Sequence, residues 1–334
     1  MDFTELIDLA AERLGGAVLA ANDEFFAPKE NLLKSSKPIF IEGKYTDAGK
    51  WMDGWETRRR RTPGLDWCIL RLGLPGILRG VVVDTAHFKG NYPEHCSFEA
   101  CALEGNPDAE KLAGPSTPWA EVLAKSPLRG DTENRFAIDN PHRFTHLRFN
   151  IFPDGGVARL RVYGEVVPDW TQLDRGGEMD LAAVEHGGLV VACSDMFFGS
   201  RHNLIMPGRA ANMSDAWETR RRRGPGHDWV VIQLGTSGTI RRVEVDTSHF
   251  KGNFPESCRL EACRGPGRIT EARVFSSLPW VELLPRTKLQ AHTVHLFEKE
   301  LQDAGAATHV RFSIYPDGGV SRLRIYGAIA GRDA

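Results

Sequence analysis

The sequence contains one set of motifs written twice, and this duplication limits the possible folds more than any other feature of the chain. Asp8-Leu-Ala-Ala recurs at Asp180, 172 positions later. Further along, Trp55-Glu-Thr-Arg-Arg-Arg-Arg recurs at Trp217, 162 positions later. Several motifs recur in the same order, so the duplication predicts two copies of one domain rather than a single large core.

The length of the chain agrees with this organisation, because 334 residues is about twice a usual domain. We predict a first domain over residues 1–168, a linker over 169–179 and a second domain over 180–334. The change in spacing places ten extra residues in the first copy, between Leu33 and Asp53. Long loops often carry function, so the first copy is the expected place of the site.

Composition and charge exclude several classes of protein. The chain is 41% hydrophobic and 26% charged, as in folded globular proteins, and its net charge of -2 gives no general attraction for nucleic acid. No apolar stretch is long enough to span a membrane, and the N-terminus is acidic. The six cysteines include no CxxC pair, which favours reduced thiols in the cytoplasm over a disulfide framework or a zinc site.

Alternating patterns predict mainly β-structure. Apolar and polar residues alternate in 145–152 and again in 158–163, and Pro153-Asp-Gly-Gly between them predicts a hairpin. Gly80–Asp84 is expected to be a short strand, and 8–14 is the one segment that suggests a helix. Short strands without alternating helices favour an all-β, antiparallel sandwich in each copy.

The arginine runs have two interpretations. If Trp55–Arg61 is a strand, Glu56, Arg58 and Arg60 share one face, where they form either an internal ionic network or a clamp for a substrate carboxylate. Arg220 belongs to the corresponding run of the second copy. The charged row of Arg159 and its neighbours on the last strand is expected to be an ordinary solvated sheet face.

A second motif brings several reactive groups together. Asp84, His87, Lys89 and Asn91 lie within eight residues at a predicted strand end. They could form a catalytic site, contribute two metal ligands, or be a hydrogen-bonded loop in which Asp84 caps backbone groups. The second copy repeats the motif, with the counterparts Asp246, His249, Lys251 and Asn253.

Both motifs, their second copies and the Phe-Pro-Asp-Gly-Gly-Val segment that begins at Phe152 resemble the allantoicase family over nearly the whole chain. The resemblance implies two discoidin-like (galactose-binding-like) jelly-roll β-sandwich domains in tandem. It also implies hydrolysis of allantoate to ureidoglycolate and urea in purine degradation, and a homo-oligomer. A sugar-binding protein and a pure scaffold are the alternatives, although clustered Arg, Asp, His and Lys suit a small anion better than a sugar.

Allantoate carries one carboxylate and two ureido groups on one carbon, so its hydrolysis needs cations, amide-matching hydrogen bonds and acid-base groups. From residue type we predict that the proton carriers are Glu56, Asp84 and His87. The predicted substrate-binding residues are Arg58, Arg60, Lys89, Asn91, Arg220, His249 and Lys251. No cofactor is predicted with certainty, and a divalent metal remains open.

Overall fold

The computed structural model describes residues 2–105, 107–173, 177–266 and 272–330. The chain divides into two compact units, one over Asp2–Val167 and one from Pro168 onwards. Both units are almost entirely β-structure, as predicted, and the described helices are short. Among the described residues, no helix has the length and apolar character needed to cross a membrane. Residues 174–176 of the predicted linker lie outside the described residues.

The described part of the first unit contains twelve strands: β1 Ile7–Asp8, β2 Ala17–Ala21, β3 Tyr45–Thr46, β4 Gly49–Lys50, β5 Trp55–Glu56, β6 Asp66–Asp84, β7 His95–Cys101, β8 Ala120–Pro127, β9 Glu133–Ala137, β10 Arg143–Phe152, β11 Gly156–Val157 and β12 Arg159–Val166. Its helical segments are the 3₁₀ turns Phe3–Glu5, Glu12–Leu14 and Lys29–Leu33 and the helix α1 Ala109–Ala113. All strand pairs in the unit are antiparallel.

Strand β6 belongs to both layers of the sandwich. Its first part pairs with β2 and β10, and its last part pairs with β9 and β12. The middle of β6 contains Gly76, where a Cβ atom would lie 2.2 Å from the carbonyl oxygen of Glu165. A side chain is excluded there because the strand passes directly against another backbone. The predicted short strand over Gly80–Asp84 therefore ends at the correct residue, but the observed strand begins at Asp66.

The core lies between the two layers and is formed by the inward face of each strand. Trp55, Phe98 and Phe149 are fully buried, and the rings of Phe98 and Phe149 stack with centroids 4.7 Å apart. Five of the six cysteines are buried. Burial raises the pKa of the Cys96 thiol to about 12, which fits a small core residue rather than a nucleophile.

The second unit repeats this architecture with ten described strands: β13 Met179–Asp180, β14 Leu189–Cys193, β15 Trp217–Glu218, β16 Asp228–Asp246, β17 Ser257–Cys263, β18 Val281–Lys288, β19 Val294–Phe297, β20 Ala306–Tyr315, β21 Gly319–Val320 and β22 Arg322–Ile329. Its helical segments are α2 Trp170–Leu173 and the 3₁₀ turns Val184–His186, Arg201–Ile205, Met213–Asp215 and Ala272–Ser277. Strand β16 corresponds to β6 of the first unit, and it pairs with β14, β19, β20 and β22.

The predicted hairpin across Pro153 is wrong in its pairing, although both strands exist. Strand β10 pairs with β6 and β7, whereas β12 pairs with β6 and β1. The segment between them pairs instead with β5 and carries the chain from one layer to the other. Gly156 permits this crossing, because a Cβ atom there would lie 1.9 Å from the ring of Phe88.

The helix predicted over residues 8–14 is also wrong. Asp8 belongs to β1, and its carboxylate accepts hydrogen bonds from the backbone N–H groups of Ala10 and Val162. Only Glu12–Leu14 is helical, as one 3₁₀ turn that ends at Gly15 with φ 95°. The hydrogen bonds of Asp8 fix the segment to the sheet, a tertiary effect that overrides its helical pattern.

The extra residues of the first copy form the small hairpin of β3 and β4 and the segment that leads into it. Ile39, Phe40 and Tyr45 in this region are exposed, with 54%, 41% and 69% of their surface accessible. The backbone N–H of Ile39 donates to the carboxylate of Asp53, which anchors one end of the insertion to the sandwich.

Candidate active site

The arginine run after Trp55 is not a strand beyond Glu56, so the predicted two-faced alternation does not hold. The guanidinium of Arg58 forms an ion pair with Asp23, with Nη2 2.6 Å from Oδ2. Arg60 forms one with Asp66, with Nη1 2.6 Å from Oδ1. Both arginines therefore have carboxylate partners within the unit, an arrangement that matches the ionic-network interpretation.

The structure brings together Glu56 and Asn91, which the sequence placed in two separate motifs. The side-chain amide of Asn91 donates to Glu56 Oε1 over 2.7 Å. Burial raises the pKa of Glu56, and the hydrogen bond from Asn91 opposes this increase. Glu56 is consequently a carboxyl group that can exchange a proton closer to neutral pH than an exposed glutamate.

The second unit has the same pair in a cleft of about 800 Å³. Asn253 donates to Glu218, and Arg221 and Lys288 also line the cleft. The counterpart of Arg221 in the first copy is Arg59, which the two-faced strand pattern assigned to the opposite side from Glu56. Arg220, the predicted substrate ligand, instead pairs with Asp195 at 3.3 Å.

His87 and His249 occupy equivalent places in the two units. His87 has φ 69°, its backbone N–H donates to Asp131, and its ring Nε2 lies 3.3 Å from the carbonyl oxygen of Pro38. His249 has φ 72°, and its Nε2 lies 2.9 Å from the carbonyl oxygen of Ala210. The shared contact shows that both rings hold the same loop, as a framework residue would.

The two predicted lysines lie on the surface. The ammonium of Lys89 is 3.9 Å from Asp131 Oδ2, and its side chain is 79% exposed. Lys251 is exposed as well. Neither contributes to the lining of the cavities described for this protein.

Asp84 lies apart from Glu56, in a cavity of about 300 Å³ on the outer side of the layer formed by β9, β6 and β12. We call it the Asp84 cavity and define it by the ionisable groups that line it: Lys37, Asp84, Glu133, Arg135, Arg159, Arg161 and Tyr163. The volume suits a small ligand. Ser35, Ser36 and Pro38 form part of its wall, directly before the insertion of the first copy.

The Asp84 carboxyl is tuned by its surroundings. Burial raises its pKa, the negative charge of Glu133 adds to the increase, and the N–H of Ala86 and the charges of Arg159 and Arg161 oppose it. Ala86 N–H donates to Asp84 Oδ1 over 2.8 Å, and Asp84 and Glu133 are cross-strand partners. Two carboxyl groups, Asp84 partly buried and Glu133 exposed, therefore line one cavity.

The arginines of β12 are not an ordinary solvated row, so that expectation is wrong. Arg159 is only 2% exposed, and its Nη2 lies 2.6 Å from the carboxylate of Asp53. Arg161 donates to the carbonyl oxygen of Lys34, and its Nε is 3.7 Å from Asp8 Oδ2. The segment that contains Lys34 covers this face of the sheet, and alternation within β12 does not reveal that cover.

Sequence reasoning missed three further residues of the cavity, namely Lys37, Glu133 and Arg135. Glu133 and Arg135 lie on β9, two positions apart, and thus on the same face as Asp84. The spacing of two between these charged residues is visible in the sequence. The same spacing is common on sheet faces, so it does not by itself indicate a site. Arg135 is tied to Asp2 by an ion pair of 2.6 Å.

Asp84 and His87, which could have contributed two metal ligands, are joined by no third ligand among the described residues. Across the described residues, no three His, Cys, Asp or Glu side chains come together in a way that could hold a metal ion. A divalent cation is normally held by at least three protein ligands in a catalytic site.

Comparison with known proteins extends these observations. The family model described as "Allantoicase repeat" matches residues 7–167 and 179–330. A probable allantoicase of Pseudomonas aeruginosa is 51% identical over 98% of this chain and 97% of its own length. A probable allantoicase of Photobacterium profundum is 48% identical over 98% of each chain.

The structure agrees with the sequence matches. The crystal structure of allantoicase from Saccharomyces cerevisiae superposes with a TM-score of 0.80 at 37% identity, covering 96% of this chain and 92% of the yeast chain. The jelly-roll tandem predicted from the motifs is thereby confirmed. Two matched repeats and relatives of about half-identical sequence over the full length lead to one conclusion: the chain belongs to the allantoicase family.

Proposed function

We propose that this protein hydrolyses allantoate to ureidoglycolate and urea, and that the reaction takes place in the Asp84 cavity of the first unit. Family membership supports the reaction. The observation that carries the location is a carboxyl group of raised pKa, Asp84, lying among cationic side chains in a cavity of about 300 Å³. Such a cavity can hold a small anion and deliver a proton to it.

The cations account for binding of the substrate carboxylate. Lys37, Arg135 and Arg161 line the cavity, and their charges favour an anion over a neutral molecule. Arg159 is held by its buried ion pair with Asp53, so it shapes the cavity and contributes positive charge without having to move. The Tyr163 hydroxyl is a further hydrogen-bond group on the wall.

The two carboxyl groups account for the chemistry. Water attacks the carbon that carries the ureido groups, and Glu133 accepts a proton from it as the new C–O bond forms. Asp84 donates its proton to the ureido nitrogen as the C–N bond breaks, so that urea leaves as a neutral molecule. Transfer of the proton from Glu133 to Asp84 restores both groups for the next turnover.

The reaction is tested by incubating the purified protein with allantoate and measuring urea and ureidoglycolate. We expect both products in equal amounts, with and without a chelator, because no step above uses a metal. Absence of urea in chelated, untreated and divalent-metal-supplemented samples would overturn the proposed function. Activity that a chelator abolishes and a metal restores would overturn the metal-free mechanism.

The position of the reaction is tested with Glu133→Gln and Glu56→Gln, which are isosteric changes in the two candidate places. We expect Glu133→Gln to lower kcat by about 10²-fold or more, the usual effect of a lost general base. Glu56→Gln keeps the hydrogen bond from Asn91 and should retain most of the activity. The reverse ranking would move the reaction to the Glu56–Asn91 pair.

We also propose that the protein acts in the cytoplasm as a homo-oligomer. Six sparse cysteines without a CxxC pair suit a reducing compartment. The exposed apolar side chains of Ile39, Phe40 and Tyr45, together with Val294 and Leu296, are surfaces that a second copy could cover. Fractionation of cells of the source organism tests the compartment, and recovery outside the soluble cell contents would exclude it.

A further inference from the structure

The two copies differ at the mouth of the Asp84 cavity. Lys37 lines the cavity in the first unit, and the 172-residue spacing makes Arg209 its counterpart. Hydrogen bonds support this alignment, because Arg161 donates to the carbonyl oxygen of Lys34 and its counterpart Arg324 donates to that of Met206. Residues 37 and 209 therefore follow equivalent, anchored positions in the two units.

Arg209 makes contacts with two carboxylates. Its Nη1 lies 3.0 Å from Asp246 Oδ2 and 2.5 Å from Glu244 Oε1. Asp246 is the counterpart of Asp84, whereas Glu244 stands where the first copy has Val82. The side chains of Asp246 and Glu244 are 0% and 9% exposed, but that of Arg209 is 58% exposed. The guanidinium thus covers the carboxylates from the solvent side.

The two aspartates present the same oxygen to this position. Asp84 Oδ1 accepts a hydrogen bond from the N–H of Ala86, and Asp246 Oδ1 accepts one from the N–H of Ser248, both over 2.8 Å. Oδ2 is the atom of Asp246 that meets Arg209. The backbone contact therefore orients the carboxyl in both units and leaves Oδ2 for an incoming N–H group.

Guanidinium and ureido groups are alike in shape and hydrogen bonding at this edge. Each is planar and carries N–H donors on nitrogens that are bonded to one shared carbon. Each can therefore approach a carboxylate in the plane of that group. Arg209 on Asp246 is consequently a tethered analogue of a ureido group on Asp84.

We propose that Arg209 is an internal plug that closes the second copy's counterpart of the Asp84 cavity, and that Asp84 Oδ2 contacts a ureido nitrogen of the substrate in the first unit as Asp246 Oδ2 contacts Arg209. The first half is independent of the proposed function, and the second half rests on it. The chain accordingly has one working site, although its fold is duplicated, and the identity of residues 37 and 82 keeps that site open.

The plug is tested with Arg209→Ala and low-millimolar guanidinium chloride, which replaces the missing head group. Calorimetric titration should show one more guanidinium site per chain in Arg209→Ala than in the wild type, with a dissociation constant on the order of 1 mM. The double variant Arg209→Ala/Asp246→Asn is the control and should lose that extra site. Equal stoichiometry in wild type and Arg209→Ala, with circular dichroism unchanged, would overturn the plug.

The reciprocal experiment installs the plug in the first copy with Lys37→Arg/Val82→Glu, compared with each single variant. We expect the double variant to lose at least about a hundredfold in kcat/KM and more than the product of the single effects, because only the pair forms the bridge. Activity retained in the double variant would overturn the contact assigned to Asp84 and the location of turnover. It would leave the plug standing if Arg209→Ala binds guanidinium, so the two failures are distinguishable.

Discussion

Replacement of Asp84 and of its counterpart Asp246 by Asn should give opposite effects on activity and stability. Asp84 is a partly buried carboxyl at the edge of an open cavity, whereas Asp246 is fully buried and bridged by Arg209. Both changes preserve the shape of the side chain and the acceptor oxygen for the local backbone N–H. The pair therefore separates the role of the site from that of the shared framework.

For Asp84→Asn we expect kcat to fall by about 10² to 10⁴, the range for a lost general acid. This fall corresponds to about 2.7–5.4 kcal/mol of activation free energy. The folded-state pKa of Asp84 is raised above 3.8, so the stabilisation linked to its proton is present below that value and lost as pH rises through the folded-state pKa. Asn carries no charge at any pH and so removes this pH-dependent loss of stability, and Tm should stay equal or rise.

For Asp246→Asn we expect nearly wild-type kcat and a lower Tm. The change removes the charge from a buried acceptor that lies 3.0 Å from Arg209 Nη1, which costs about 1–3 kcal/mol. In a unit of this size, each kcal/mol lowers Tm by about 2–4 °C. Urea release and calorimetric melting at pH 4.5 and 7.5 measure both properties. An active Asp84→Asn variant, or equal kinetic losses in the two variants, would refute the reasoning.

Arg60→Lys should lower Tm and keep kcat/KM within about threefold, because the ion pair with Asp66 makes Arg60 part of the framework; a tenfold or larger kinetic loss at unchanged Tm would restore the clamp interpretation. His87→Ala should reduce kcat more than His249→Ala, since only His87 holds a loop that lines the Asp84 cavity, and His87→Gln should recover part of the loss; equal losses would contradict this. Asp53→Ala should destabilise the first unit by about 3–5 kcal/mol in chemical denaturation, because it leaves Arg159 buried without its partner, and a cost below 1 kcal/mol would show that the pair is dispensable. Light scattering at micromolar concentration should give a multiple of the chain mass, and a monomer mass would exclude the homo-oligomer.

The repeated motifs and the alternation of apolar and polar residues were sufficient to predict two β-domains. The duplication predicted two domains, and alternation located the strands that became β10 and β12, because one face of each strand packs in the core and the other does not. The pairing of these strands could not be read in the same way. Alternation specifies which face is buried and carries no information on the neighbour, so the predicted hairpin placed β12 beside the wrong strand.

The functional residues also fall into those that the sequence indicated and those that only the structure revealed. The sequence alone determined the family and the charged motifs, since these depend on residue identity and order. The Glu56–Asn91 contact joins residues 35 positions apart and was found only in the structure. Only the tertiary structure decided that Arg58 and Arg60 are tied to internal carboxylates and that Asp84 faces an open cavity whose counterpart is closed by Arg209. The physical reason is that a charge acts through its nearest neighbours in space, and those of Asp84 come from β9, β12 and the segment around Lys37, far away along the chain.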